Sequence, residues 1–182
     1  MEKNEKLVLI DGNSLINRAF YALPLLSNSQ GEYSNAVYGF CNMLTKLIEA
    51  ENPKYMAVAF DMGHLTFRHE MYAEYKAGRK KMPEELASQL PILKSVLASM
   101  NICFVEKPGI EADDIIGTLA KRFNIPTIIL SGDRDLFQLV DSSTSVWFTK
   151  RGISDTIVVT PTPATPLMLS LLSPISAFKS AT

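Results

Sequence analysis

Seven carboxylates, Asp11, Asp61, Glu111, Asp113, Asp114, Asp133 and Asp135, stand where apolar, strand-like runs end or where a helix begins. In a parallel α/β sheet those places face one crevice beyond the carboxyl ends of the strands, so residues far apart in the chain share a pocket. Two carboxylates about 4 Å apart repel by roughly 4 kcal/mol at an effective dielectric near 20. A cluster of this kind persists only with protons, basic partners or a bound cation. An all-oxygen donor set selects hard cations, magnesium or manganese rather than zinc.

Each acid also has a plainer role. Asp11 and Asp61 can open turns by bonding their own backbone. Acids in the first turn of a helix gain about 0.3 to 1 kcal/mol from its dipole, which would account for one or two of Glu111, Asp113 and Asp114. Three acids within four residues, with Glu111 and Asp114 on one helical face, exceed what capping requires. In Ser131-Gly132-Asp133-Arg134-Asp135, alternate residues of an extended segment point the same way. The coincidence of all these places favours a single metal or catalytic site.

A second chemical feature is the segment His64 to Met82. Arg68, Lys76, Arg79, Lys80 and Lys81 outnumber Glu70 and Glu74 by three in a chain that is otherwise near neutral. Phosphate is the natural partner of such a segment, and Tyr72 and Tyr75, interleaved with the cations, offer faces on which unpaired bases stack for roughly 1 to 3 kcal/mol each. In isolation a solvated helix face would explain it as well; beside an acidic metal crevice, nucleic acid is favoured. His64 and His69, the only histidines, are spaced awkwardly for joint metal ligation and suit structural or phosphate contacts. Among residues 1–182 there is no P-loop, no GxSxG and no zinc-type spacing.

The elements that must position these groups follow a βα rhythm. Leu7 to Ile10 is a short apolar run ending at Asp11-Gly12-Asn13-Ser14, which predicts strand, turn and a helix capped by Ser14. Val37, Phe40, Leu44, Leu47 and Ile48 recur at helical spacing over 35–51, and Asn52-Pro53 ends that helix. Strands are expected at 55–60, 102–105, 127–130 and 146–149, with a helix over 83–100 and another that Gly109-Ile110-Glu111-Ala112-Asp113-Asp114 opens and that runs through Phe123. Trp147 belongs to the last of these strands and reads as core. The fold class is therefore α/β, a central mostly parallel sheet flanked by helices.

A length of 182 residues suits one domain with a substantial core. With 18 basic against 19 acidic residues there is no global field to mark a nucleic-acid or membrane partner, so any such signal is local. Cys41 and Cys103 are far apart and predict two buried thiols in a reducing, cytoplasmic setting. MEKNEK followed by four apolar residues is too short for a signal peptide, and no membrane span is expected. Composition changes after Asp155: residues 156–182 hold no acid, one basic residue (Lys179) and many Thr, Pro and Ser. The expectation is an α/β domain over 1–155 and a poorly ordered tail, foreign to the fold, over 156–182.

LVLIDGNSLINRAFYAL, the strand ending Ala-Phe-Asp at Asp61, FRHEMYAEYKAGRKKMPEEL, PGIEADDIIGTLA and ILSGDRDLFQLV occur in this order over about residues 5–155. Together they resemble the 5′ nuclease (5′ to 3′ exonuclease) domains at the amino end of bacterial DNA polymerase I, within the flap endonuclease superfamily. The resemblance implies a basic helical arch over about 64–82, two divalent ions, magnesium or manganese, and DNA with a free or branched 5′ end as substrate, in replication and repair. It implies metal-binding roles for Asp11, Asp61, Glu111, Asp113, Asp114, Asp133 and Asp135. Arch residues Tyr75, Lys76 and Arg79 would contact the 5′ strand near the scissile phosphate, Lys76 and Arg79 as catalytic cations. Arg18, Tyr72, Lys80 and Lys81 would join them in binding DNA. The chain departs from the pattern where the family continues into a GDxSDNIPG-like segment and a helix-turn-helix, so the second metal site is expected to be incomplete and activity impaired. The alternatives are an inactive DNA-binding remnant and a PIN-like ribonuclease, the long basic segment arguing against the latter. No protein partner is implied, and the chain is expected to act as a monomer.

Overall fold

The computed structural model describes residues 4–62, 81–149 and 156–161. The predicted arch, with His64, Arg68, His69, Tyr72, Tyr75, Lys76, Arg79 and Lys80, lies outside them, as does most of the expected tail; Lys81 is described and exposed. The chain runs β1 (Asn4–Asp11), α1 (Gly12–Ala22), α2 (Asn35–Glu51), β2 (Pro53–Phe60), α3 (Glu84–Ala87), α4 (Gln89–Ser99), β3 (Cys103–Glu106), α5 (Ala112–Arg122), β4 (Thr127–Ser131), a 3-10 turn (Arg134–Leu139), β5 (Thr144–Thr149) and β6 (Thr156–Val159).

The strands form one six-stranded sheet in the order β3-β2-β1-β4-β5-β6. β1 pairs in parallel with both β2 and β4, β3 and β5 extend the parallel sheet on either side, and β6 alone is antiparallel. Side chains of β1 alternate between two cores. Val8 and Ile10 pack with Leu15, Ile16, Phe40, Leu44, Leu93 and Leu97 under α1, α2 and α4. Leu7 and Leu9 pack with Ile115, Ile116, Ile129 and Leu136 under α5 and the 3-10 turn. Because both faces are covered, the central stretches Leu7 to Ile10 of β1 and Ile128 to Leu130 of β4 are continuous apolar runs instead of alternating with polar residues. The predicted α/β class is the observed one.

Several local expectations change. Ser14 does not cap α1: Asp11 is the cap residue and accepts the backbone N–H of Ser14 at 2.9 Å. The helix expected over 83–100 breaks at Ser88 into α3 and α4. β3 and β5 are displaced or extended by one or two residues, as is usual at element ends. Thr156–Val159, assigned by composition to the tail, pairs with β5 as the edge strand, because a Thr/Ile/Val run favours extended backbone whatever its charge. The thiols are not both buried: Cys41 is half-buried and Cys103 exposed, and both are free. Trp147 is half-buried and packs against the first core, as expected. Among the described residues no helix is long and apolar enough to cross a membrane.

Candidate active site

β1 is the point at which the sheet's winding changes direction, with β2 and β3 added on one side and β4 and β5 on the other. Such a switch point opens a crevice at the carboxyl ends of the strands. Asp11 ends β1, Asp61 follows β2 and Asp133 follows β4, so three of the predicted carboxylates leave three adjacent strands at the same edge. Glu106, the acid at the end of β3, is instead ion-paired with Lys94.

Asp11 is buried, 8% exposed, with both carboxylate oxygens engaged. Oδ1 accepts the Ser14 N–H at 2.9 Å and Oδ2 accepts the Ser131 hydroxyl at 2.8 Å. Burial pushes its pKa up to about 6 against the hold of these two bonds, and the neighbouring charges of Asp61 and Asp133 push the same way. Asp11, Asp61 and Asp133 therefore share one electrostatic environment.

Asp61 reaches across to the second layer. Its Oδ1 accepts the backbone N–H of Ala112, the first residue of α5, at 2.6 Å, while its own N–H donates to Asn13 Oδ1 at 3.1 Å. Gly109, with φ +77, makes the turn before this helix. The Asp61 contact brings the start of α5, with buried Glu111 and half-buried Asp113 and Asp114, beside the end of β2. Asp113 accepts the N–H of Asp114 at 2.8 Å. Asp133 caps the 3-10 turn by accepting the N–H of Asp135 at 3.0 Å, and both residues are exposed.

The donor set fits a hard divalent cation: carboxylate oxygens only, one of them deeply buried, with mutual repulsion that positive charge would relieve. The described residues do not form a ready-made cage, for no group of three or more His, Cys, Asp or Glu among them is arranged to hold a metal ion. The carboxylates of Asp11, Asp61, Asp113 and Asp133 instead accept backbone N–H groups.

Beside this edge, Ser14, Asn17, Arg18, Tyr21 and Ala22 line a cleft of about 380 Å³. The Nε of Arg18 is buried with no hydrogen-bond partner among the described residues. Residue patterns did not single out Asn13, Ser14 as a linker, or Ser131. Their signal was present in the turn sequences Asp-Gly-Asn-Ser and Ser-Gly-Asp, each joining an acid to a small hydrogen-bonding side chain at a strand end.

The fold resembles that of flap nucleases of known structure. A structure of bacteriophage T5 D15 flap endonuclease (D155K), described as a pseudo-enzyme-product complex with DNA and metal ions, aligns with a TM-score of 0.59 and 22% identity over 79% of this chain and 55% of the other. Flap endonuclease-1 from Methanococcus jannaschii aligns with a TM-score of 0.52 and 18% identity over 87% of this chain and 57% of the other. At these identities the likeness is one of fold.

Membership is shown by sequence. The chain belongs to the 5′-3′ exonuclease family, its residues 6–162 matching the family's N-terminal resolvase-like domain. DNA polymerase I of Bacillus subtilis (strain 168) is 50% identical over 164 residues, which cover 88% of this chain and 19% of the polymerase. The chain thus spans about a fifth of that relative's length. The matched region extends through β6, beyond the domain boundary expected at residue 155.

Proposed function

We propose that this domain hydrolyses phosphodiesters of DNA at free or branched 5′ ends, with magnesium or manganese as cofactor. The observation that carries the proposal is the meeting of Asp11, Asp61 and Asp133 at the switch point of the sheet, in a chain of the 5′-3′ exonuclease family. Asp11, Asp61, Glu111, Asp113, Asp114, Asp133 and Asp135 would hold the cation, which when bound would supply Lewis-acid activation of water and stabilisation of charge on the phosphate.

The chain's own residues do the rest. Asp11 and Asp61 are anchored by backbone and serine donors, so their oxygens are aimed before substrate arrives. The buried Nε of Arg18 lies beside the cleft next to this edge and suits a phosphate oxygen. Lys76 and Arg79 are assigned to the scissile phosphate, and Tyr72, Tyr75, Lys80 and Lys81 to the 5′ strand, on sequence alone. The same proposal has the protein acting in the cytoplasm as a monomer.

The test is release of short products from a 5′-flap duplex with magnesium or manganese, comparing the chain with Asp113→Asn. Removing one ligand carboxylate should lower the rate at least tenfold, equivalent to about 1.4 kcal/mol of transition-state stabilisation. Equal rates would sink the assignment. Salt-sensitive DNA binding without cleavage, weakened by Lys76→Ala and Arg79→Ala, would favour the inactive remnant instead. Cleavage of RNA but not of the DNA flap would favour the ribonuclease.

A further inference from the structure

We propose that Ser131 is a positioning residue whose hydroxyl holds Asp11 and Asp133 in one fixed relation, so that carboxylates from two adjacent strands address the same cation. The proposal deepens the metal-centre reading and rests on it.

Ser131 is the last residue of β4 and is 0% exposed. A hydroxyl has one proton to give and two lone pairs to accept with. The backbone N–H of Asp133 donates to Ser131 Oγ at 2.9 Å, which fixes that oxygen as acceptor on one side. Its single proton goes to Asp11 Oδ2 at 2.8 Å. The chain of donors therefore runs from the Asp133 backbone through Ser131 to the Asp11 carboxylate, and one oxygen atom ties the backbone that carries Asp133 to the Asp11 carboxylate.

A second bridge runs alongside. Gly132 N–H donates to Ser14 Oγ at 2.9 Å, and Ser14 N–H donates to Asp11 Oδ1 at 2.9 Å. The ends of β1 and β4 are thus tied on both sides of the Asp11 carboxylate. A side chain at 132 would press on the Ser14 hydroxyl that makes this tie. A methyl group there would stand 2.9 Å from Ser14 Oγ, 3.1 Å from Thr149 Oγ1 and 3.3 Å from Arg18 Nε, and Ser14 and Arg18 also line the cleft beside the acids. A serine serving only the turn would need no carboxylate partner from another strand. Ser131 gives its proton to the most buried of the three acids at the switch point.

The measurement is Mn²⁺ binding to the 182-residue chain without DNA, by titration calorimetry, with far-UV circular dichroism as the check on folding. Loss of a group that orients a metal ligand weakens metal affinity by about 10- to 100-fold, and Ser131→Ala is expected to fall in that range while its circular dichroism stays unchanged. Gly132→Ala, which keeps the Ser131 hydroxyl but pushes Ser14 Oγ from the Gly132 N–H, should weaken binding in the same direction. A Ser131→Ala chain that loses thermal stability but binds Mn²⁺ as tightly as the parent overturns the proposal and leaves Ser131 a structural residue. If Ser131→Ala does not fold, Ser131→Cys, similar in size but a weaker donor, decides: reduced affinity supports the role and unchanged affinity overturns it. Absence of Mn²⁺ binding in the unsubstituted chain would instead bring down the metal-centre reading, and this proposal with it.

Discussion

Asp11 carries a carboxylate in a place that disfavours its charge, and the metal-free protein should register this as a pH dependence. Burial raises its pKa from 3.8 to about 6. A carboxyl whose folded pKa is raised binds its proton more tightly in the fold than in the unfolded chain. Its stabilising contribution is therefore present below the unfolded value near 3.8 and is lost as pH rises through about 6. At about 1.36 kcal/mol per unit the loss amounts to roughly 3 kcal/mol. The comparison that isolates it is urea unfolding of the parent and Asp11→Asn in chelator across pH 4 to 7. The parent should lose stability relative to the variant as pH rises, and parallel profiles would show that Asp11 titrates normally. The position of this acid at a strand end was legible because Asp interrupts an apolar run. Its partners were not, since Ser131 lies 120 residues away and only strand pairing brings it near.

Elements are joined by polar contacts that periodicity does not reveal. Gln89, at the start of α4, is 0% exposed and makes four hydrogen bonds in three directions. Its Oε1 accepts the N–H groups of Ala36 and Val37 in the first turn of α2, which Ser34 leaves without a side-chain cap. Its Nε2 donates to Asn35 Oδ1 and to the carbonyl of Glu85 in α3. Asn35, also 0% exposed, donates in turn to the Phe20 carbonyl near the end of α1. One amide pair therefore clasps α1, α2, α3 and α4. Gln89→Leu keeps comparable bulk but takes the Gln89 partner from two N–H donors and from Asn35 Oδ1, while the Glu85 carbonyl keeps the Ser88 hydroxyl; with unsatisfied buried groups costing about 1 to 3 kcal/mol each before relaxation, a net loss of roughly 3 kcal/mol is expected in urea unfolding. A loss well under 1 kcal/mol would mean that water replaces the amide. Helix periodicity located α2 to the residue, because five apolar side chains repeat on one face. It ran α3 and α4 together by passing over Pro91, which has no N–H to give the Ala87 carbonyl and sits in the first turn of α4, so the helix breaks at Ser88. β6 was missed for a different reason. Its pairing partner β5 is what makes it a strand, and charge-poor composition carries no information about that edge.

For the molecule as a whole, the sheet order turns sequence-distant acids into neighbours and makes the site a property of the fold. Strand ends could be found in the sequence, but the order β3-β2-β1-β4-β5-β6 decides which ends adjoin, and it sets Asp61 and Asp133 on either side of Asp11. The resulting repulsion has a global consequence. A cation bound by the folded chain and not by the unfolded one stabilises it by about 2.7 kcal/mol at a concentration one hundred times its Kd. For a domain of this size, each kcal/mol moves the unfolding midpoint by roughly 2 to 4 °C. Saturating Mn²⁺ should therefore raise the midpoint by roughly 5 to 10 °C over chelator-treated protein. Asp11→Asn and Asp61→Asn should each shrink that rise, while an exposed acid outside the site, Glu5, should be replaceable by Gln without effect on it. The same ionic strength supplied as potassium chloride separates binding from screening. An equal rise with potassium would mean that diffuse charge neutralisation, rather than a cation held between these strands, relieves the acids.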